Sequence, residues 1–106
     1  MSEREFNQRV DDTLIRIEEA IEDCGLDIDF ETSAGILTLT FENGSKVIVN
    51  RQSATGELWV AARSGGFHCG WVDGQWVCNT TREALPALLS RVVTEQAGEQ
   101  VRLALD

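Results

Sequence analysis

DDTLIRIEEAIEDCGLDIDFE, residues Asp11–Glu31, carries one change of rhythm on which the reading of the whole chain turns. Upstream of Gly25 the apolar residues Phe6, Val10, Thr13, Leu14, Ile17, Ala20, Ile21 and Cys24 recur every three or four positions. At 100° per residue they fall in one stripe, so residues ~3–24 read as an amphipathic helix, with Gly25 placed to cap it. Downstream, Leu26, Ile28 and Phe30 alternate with Asp27, Asp29 and Glu31. A period of two means a strand with one buried and one acidic face.

Working outward, Ser33-Ala34-Gly35 turns the chain into a second strand, Ile36–Glu42. Leu37, Leu39 and Phe41 lie on one side of it, Thr38 and Thr40 on the other. Asn43-Gly44 has the residue types of a type I′ hairpin, returning through Lys46–Gln52. Leu58–Ala62, Gly66–Val72 and, after a tight turn at Asp73-Gly74, Gln75–Cys78 complete about six strands. A second helix shows Leu85, Leu88, Leu89, Val92 and Gln96 on one face and ends at Gly98. Thr80 and Glu83 have capping-box spacing, but Pro86 puts the regular part's start between Thr81 and Leu85. Val101, Leu103 and Leu105 point to a short last strand or an extended tail. The expected architecture is a single α+β domain over 1–106, a two-layer α-β-α sandwich. Two helices cover one face of an antiparallel sheet of about six strands, and the other face is wet.

A chain of 106 residues can bury roughly 60–65% of its unfolded surface, enough for one core. No apolar run approaches the ~20 residues of a membrane span. MSEREFNQRV lacks the apolar centre of a secretory leader, and three cysteines with no CxxC spacing fit reduced thiols, so a cytoplasmic protein is expected. The net charge of −9 is concentrated at one end: residues 1–31 hold eleven acids against three arginines, residues 32–106 seven acids against six bases. That excludes nucleic acid as the expected partner and favours cations or a basic protein surface.

Nine of the 21 residues from Asp11 to Glu31 are carboxylates, with only Arg16 opposing them. Asp11, Glu18 and Glu22 fall along one flank of the helix stripe, and Asp12, Glu19 and Asp23 form a second row. Asp27, Asp29 and Glu31 are expected to continue the acid onto the strand as one ridge. Charged residues on a helix are usually just a solvated face. Here, however, Glu18–Glu22 and Glu19–Asp23 are like-charge i,i+4 pairs, each unfavourable by about 0.2–0.5 kcal/mol. Glu22 and Asp23 also meet the negative end of the helix dipole, at about 0.3–1 kcal/mol each. An arrangement that opposes folding in two ways points to a use. Carboxylates with no histidine or thiolate beside them are hard ligands suited to Fe²⁺ or Fe³⁺, Mn²⁺, Mg²⁺ or Ca²⁺. On an exposed helix and strand they bind weakly, several ions sharing ligands. The competing use is a docking surface for an arginine-rich partner.

On the strands, Val47, Val49, Leu58 and Val60 inward leave Ile48, Asn50, Gln52 and Trp59 outward. A tryptophan beside amides on a wet face is either a binding surface or the seat of a covering loop. Trp71 and Trp76 read as structural. His68 and Cys69 are strand neighbours and point to opposite faces, which argues against a Cys–His catalytic pair. No spacing supports haem ligation, and neither a phosphate loop nor a GxSxG is present. The residues alone indicate a binding protein and not an enzyme.

The acidic helix with Glu18-Glu19 and Glu22-Asp23, the acidic first strand, GILTLTFENGSKVIVNRQ (Gly35–Gln52), ELWVA (Glu57–Ala61), SGGFH (Ser64–His68) and the late Trp76 together resemble the frataxin family in its bacterial form. The resemblance covers nearly the whole chain. It implies an iron-binding, monomeric, non-enzymatic regulator or iron supplier of iron–sulfur cluster assembly. By the same resemblance the metal residues would be Glu18, Glu19, Glu22, Asp23, Asp27, Asp29 and Glu31, with Asp11 and Asp12 as outliers. Glu18, Glu19, Glu22 and Asp23 would also dock on the cysteine desulfurase near the cluster scaffold protein, and Asn50, Gln52 and Trp59 match the family's sheet-surface positions. A ferroxidase and a haem-responsive protein are the alternatives.

Overall fold

A computed structural model describes residues 1–105. Its elements are α1 (Glu3–Asp23), β1 (Asp29–Ser33), β2 (Ile36–Thr40), β3 (Lys46–Gln52), β4 (Glu57–Ala62), β5 (Gly65–Val72), β6 (Gln75–Cys78) and α2 (Leu85–Ala97). The strands form one six-stranded antiparallel meander in the order β1-β2-β3-β4-β5-β6. Both helices pack on one face of it, as the alternation of the sequence requires. Phe6, Val10, Leu14, Ile17 and Ile21 of α1 and Leu85, Leu88, Leu89, Val92 and Val93 of α2 share one core with Leu37, Leu39, Val47, Val49, Leu58 and Val60.

Ser2 caps α1, its hydroxyl accepting from the Glu5 amide at 3.1 Å. The last turn of α1 holds no basic residue. The chain leaves Cys24 and packs Leu26 and Ile28 against the core before the ladder starts at Asp29. β1 is therefore shorter than the sequence alternation predicts. Leu26 and Ile28 are held instead by a tight local bond, Ile28 N–H to the Leu26 carbonyl at 3.1 Å.

Two turn expectations are corrected. Asn43-Gly44 does not form a type I′ pair, because of the two only Gly44 has positive φ (+83°). Gly44 N–H bonds the Phe41 carbonyl and Phe41 N–H the Ser45 carbonyl, both at 2.9 Å, which is a wider loop closed by a bulge at glycine. Asn43 Oδ1 holds it by accepting from the Ser45 amide at 2.9 Å. The Thr80–Glu83 capping box is also absent: Ala84 is the N-cap of α2 with no side-chain cap, and Pro86 lies in the first turn. Glu83 is taken instead by Arg91, whose Nε and Nη2 reach it at 3.0 and 2.8 Å.

The one buried polar side chain among the described residues, Gln96, ties loops together. Its Oε1 accepts from the Arg63 amide at 2.9 Å, and its Nε2 donates to Ser45 Oγ and the Lys46 carbonyl at 3.0 and 3.1 Å. After Gly98 the chain is an extended tail and forms no strand among the described residues. Val101 and Leu103 are buried, and Thr94 and Ser90 of α2 supply the hydroxyls that satisfy the tail's backbone.

Candidate functional site: an acid-rich helix flank and sheet edge

Helical spacing divides the polar surface of α1 into three strips. Asn7, Asp11, Glu18 and Glu22 lie toward β1; Asp12, Glu19 and Asp23 face solvent; Arg9, Thr13 and Arg16 lie toward β6. The first strip is partly engaged. Arg51 of β3 reaches under the Ala34-Gly35 turn to Asn7 Oδ1 at 2.7 Å and to the Asp11 carboxylate. Gly35 suits the turn by its left-handed φ of +78°, and a Cβ on it would stand 2.7 Å from Arg51 Nε and push that side chain aside. Asp11 is thus withdrawn from the free acid, by a partner far along the chain that the sequence does not reveal. Glu18 is half-buried and accepts from the Thr32 hydroxyl of β1.

Glu19, Glu22, Asp12 and Asp23 are exposed, and Asp11 alone of the nine carboxylates has an ion-pair partner among the described residues. Ile15 stands among them, 53% exposed, an apolar residue that the sequence reading leaves unremarked. Its signal is present in the sequence: it falls off the core stripe of the helix.

The strand carboxylates do not continue the helix ridge in one plane. Glu31 pairs in register with Thr38, and Asp29 with Thr40, so both face away from the helices, while Phe30 turns into the core. Asp29 and Glu31 line a shallow cleft with Thr38, Thr40 and Lys46 on the outer sheet face. Asp27 opens elsewhere, onto a cleft with Glu42, Asn43 and Glu99. The acid therefore wraps around the β1 edge. No three carboxylate, histidine or cysteine groups converge on one point among the described residues.

The outer face holds the other expected residues together. One row across the sheet runs Ile36–Asn50–Trp59–His68, and the next pairs Gln52 with Glu57. Trp59 is half-buried. Its indole stacks on the His68 ring at 4.1 Å with an 8° interplanar angle, and its Nε1 donates to Glu57 Oε1 at 3.0 Å. Asn79 Nδ2 donates to the second Glu57 oxygen at 2.8 Å. These bonds, that from Trp59 first, hold the Glu57 carboxyl below its usual range. Sequence reasoning misses Glu57 and His68 as members of this surface, although Glu57 and Trp59 share a face by simple alternation.

On the far side of α1, Trp71 and Trp76 are structural, as read from the sequence. Trp76 is 3% exposed and donates from Nε1 to Thr13 Oγ1 at 3.1 Å. The Arg9 guanidinium lies 4.4 Å over the Trp71 ring. His68 is exposed and Cys69 buried, on opposite faces of β5. No helix among the described residues is long and apolar enough to cross a membrane.

A family model described as a frataxin-like domain matches residues 1–99. The chain is 46% identical over 101 residues to an iron–sulfur cluster assembly protein CyaY of Vibrio cholerae serotype O1, across 95% of this chain and 97% of that protein. Against the protein of the same description in Azotobacter vinelandii it is 44% identical over 103 residues, covering 95% and 94%. A solved frataxin from Psychromonas ingrahamii superposes with a TM-score of 0.91 at 34% identity, covering 98% of this chain and 99% of that one. By the match to the family model and by these identities over nearly its whole length, the chain belongs to the frataxin family.

Proposed function

We propose that this chain serves iron–sulfur cluster assembly as a cytoplasmic, non-enzymatic iron-binding protein. In this reading it docks on a cysteine desulfurase through α1 and β1 and meets the cluster scaffold protein with the outer sheet face around Asn50, Gln52 and Trp59. The names of its relatives in Vibrio cholerae and Azotobacter vinelandii support the setting. The observation that carries the rest is the set of carboxylates left without cations of their own, Asp12, Glu18, Glu19, Glu22 and Asp23 on one helix.

Iron here is cargo. Exposed carboxylates that do not converge give an ion one or two hard oxygens and leave its other positions to water. Such binding is weak and fast to reverse, which suits transfer better than storage. A basic partner surface relieves the same repulsion, and Ile15 offers it an apolar contact at the centre of the charge.

The variant E18Q/E19Q/E22Q/D23N removes charge and keeps shape, and the side-chain amide introduced by E18Q can still accept from Thr32. Its affinity for both Fe²⁺ and desulfurase should fall by roughly tenfold or more. Its unfolding free energy should rise by about 1–2 kcal/mol, from relief of the like-charge pairs and of the anions at the helix C-terminus. Ile15→Ser should weaken the desulfurase and leave iron untouched. Calorimetric titration and urea denaturation read these out. A neutralised helix that still bound both ligands at wild-type strength would remove the helix from the proposal.

A further inference from the structure

Cys69 and Cys78 take no part in the acidic surface, yet the sheet sets them face to face. They are direct register partners across β5 and β6, and both side chains are buried in the core. An antiparallel ladder alternates hydrogen-bonded and non-hydrogen-bonded pairs. The preceding pair, His68 with Asn79, is bonded, Asn79 N–H reaching the His68 carbonyl at 2.8 Å. Cys69 and Cys78 therefore form a non-hydrogen-bonded pair, the kind whose Cα atoms approach to about 4.5 Å with side chains adjacent. A disulfide spans Cα separations of about 4.4–6.8 Å, so closure needs little backbone movement.

We infer that Cys69 and Cys78 are a redox-modifiable pair that closes reversibly to a cross-strand disulfide, locking the edge strand β6 onto β5. The oxidant is a low-molecular-weight disulfide. The Cys78 thiol gives its proton to solvent, and the thiolate attacks one sulfur of the oxidant and expels a small thiolate, leaving a mixed disulfide on Cys78. The Cys69 thiol gives its proton to that expelled thiolate and attacks Cys78 Sγ. The second small thiolate leaves and takes a proton back from solvent. Two protein thiols are oxidised by two electrons, and the small disulfide is reduced to two thiols.

The two environments fit these unequal parts. Burial alone would push the Cys78 thiol up, but hydrogen bonds from the side chains and backbone of Thr80 and Thr81 outweigh it and bring it down to about 7. Burial, then the neighbouring Cys78, pushes Cys69 up to about 12, as befits a resolving thiol that stays protonated until its partner has reacted. β6 is four residues long, and its outer edge is covered by the segment before α2. Val77 bridges Ala84, and Cys78 N–H reaches the Glu83 carbonyl at 2.8 Å while its carbonyl accepts from the Arg82 amide at 3.1 Å, so the oxidant enters when that short segment opens. Closure would fix the neighbouring His68–Asn79 pair, whose side chains support Trp59 and Glu57, and so carry the oxidation state to the outer face.

The test is thiol counting on the full chain across a series of oxidised-to-reduced glutathione ratios, with acid quenching, denaturation, alkylation and intact mass. The reduced protein has three free cysteines, Cys24, Cys69 and Cys78, and takes three alkyl groups. The oxidised monomer should take a single one, at Cys24, and dithiothreitol should restore all three. Cys24→Ala should still lose both of its remaining labels. Three labels at every ratio, a glutathione adduct persisting on Cys78, or a dimer linked through Cys24 would each overturn the inference. None of these outcomes depends on iron or on any partner, so the result stands apart from the proposed function.

Discussion

Beside β6 the charges of this molecule are turned inward, and beside β1 they are left open. At the β6 end Arg9 stacks on Trp71, Arg16 reaches the Leu105 carbonyl at 3.5 Å, and Glu83 takes both arms of Arg91. At the β1 end Arg51 meets Asp11, while Glu19, Glu22 and Asp23 on the helix and Asp29 and Glu31 on the strand have no cation within ion-pair reach among the described residues. One helix serves both ends. Arginines on one flank and acids on the other make it a partition, and the contrast teaches where stability was given priority and where it was not. The β6 end is built for cohesion, the β1 end for an outside cation.

The largest effect that should separate the two ends is at Trp76. It packs edge-on to Phe6 at 6.1 Å and to Trp71 at 5.2 Å, and it holds Thr13 by its indole N–H. Trp76→Ala removes that volume from under the helix and should cost about 3–5 kcal/mol by urea denaturation. Neutralising acid on the opposite flank should stabilise. If Trp76→Ala cost less than a substitution at Glu19, the partition would be drawn in the wrong place.

Arg51 is where the β1 end is stitched. Arg51→Ala frees Asp11 and Asn7 and opens space beneath Gly35. It should cost about 1–2 kcal/mol, since a hydrogen-bonded charged side chain, 22% exposed, is lost. It should also add one unpaired carboxylate to the acidic flank and so strengthen attraction for cations. Stability falling while Fe²⁺ affinity rises is the paired result that calorimetry and denaturation should return. A fall in both would show Arg51 supporting the acidic flank's shape and not merely masking its charge.

Much of this is legible in the chain, and the limits have physical causes. Phe6, Val10, Leu14, Ile17 and Ile21 specify α1 because burial acts on a local period, and Val47–Val49 and Leu58–Val60 orient the sheet for the same reason. Alternation alone places Trp59, Asn50 and Gln52 on one face. What the sequence does not carry are partnerships fixed by packing. Arg51 with Asp11, Glu83 with Arg91 and His68 with Trp59 depend on register and on how α1 lies across the strands. The acids of Asp27–Glu31 read as an extension of the helix ridge because they follow it in sequence. The pleat instead sends Asp29 and Glu31 to the far face, so sequence adjacency overstates continuity. Thr80 and Glu83 match a capping pattern, but α2 starts after Ala84 and the Glu83 carboxylate is taken by Arg91.

The smallest effect concerns the paired carboxylate of the β6 end. The hydrogen bond from Arg91 lowers the Glu83 carboxyl below its ordinary value of 4.5, against a smaller opposing push from burial. A carboxyl whose folded-state value lies below the unfolded one stabilises while it is ionised. Its contribution is therefore fully present above the unfolded value and is lost as pH falls through the folded one. Because Arg91 and Glu83 are 37% and 25% exposed, solvent screens the pair and Glu83→Gln should cost only about 0.5–1 kcal/mol at pH 7. The difference between wild type and variant should shrink toward zero as pH falls through the lowered folded-state value and the wild-type group itself becomes protonated. Urea midpoints at a series of pH values measure that difference directly. A gap that stayed constant down to about pH 2, well below the ordinary carboxylate range, would mean that Glu83 acts through its shape, leaving the β6 end held by its aromatic rings and not by charge.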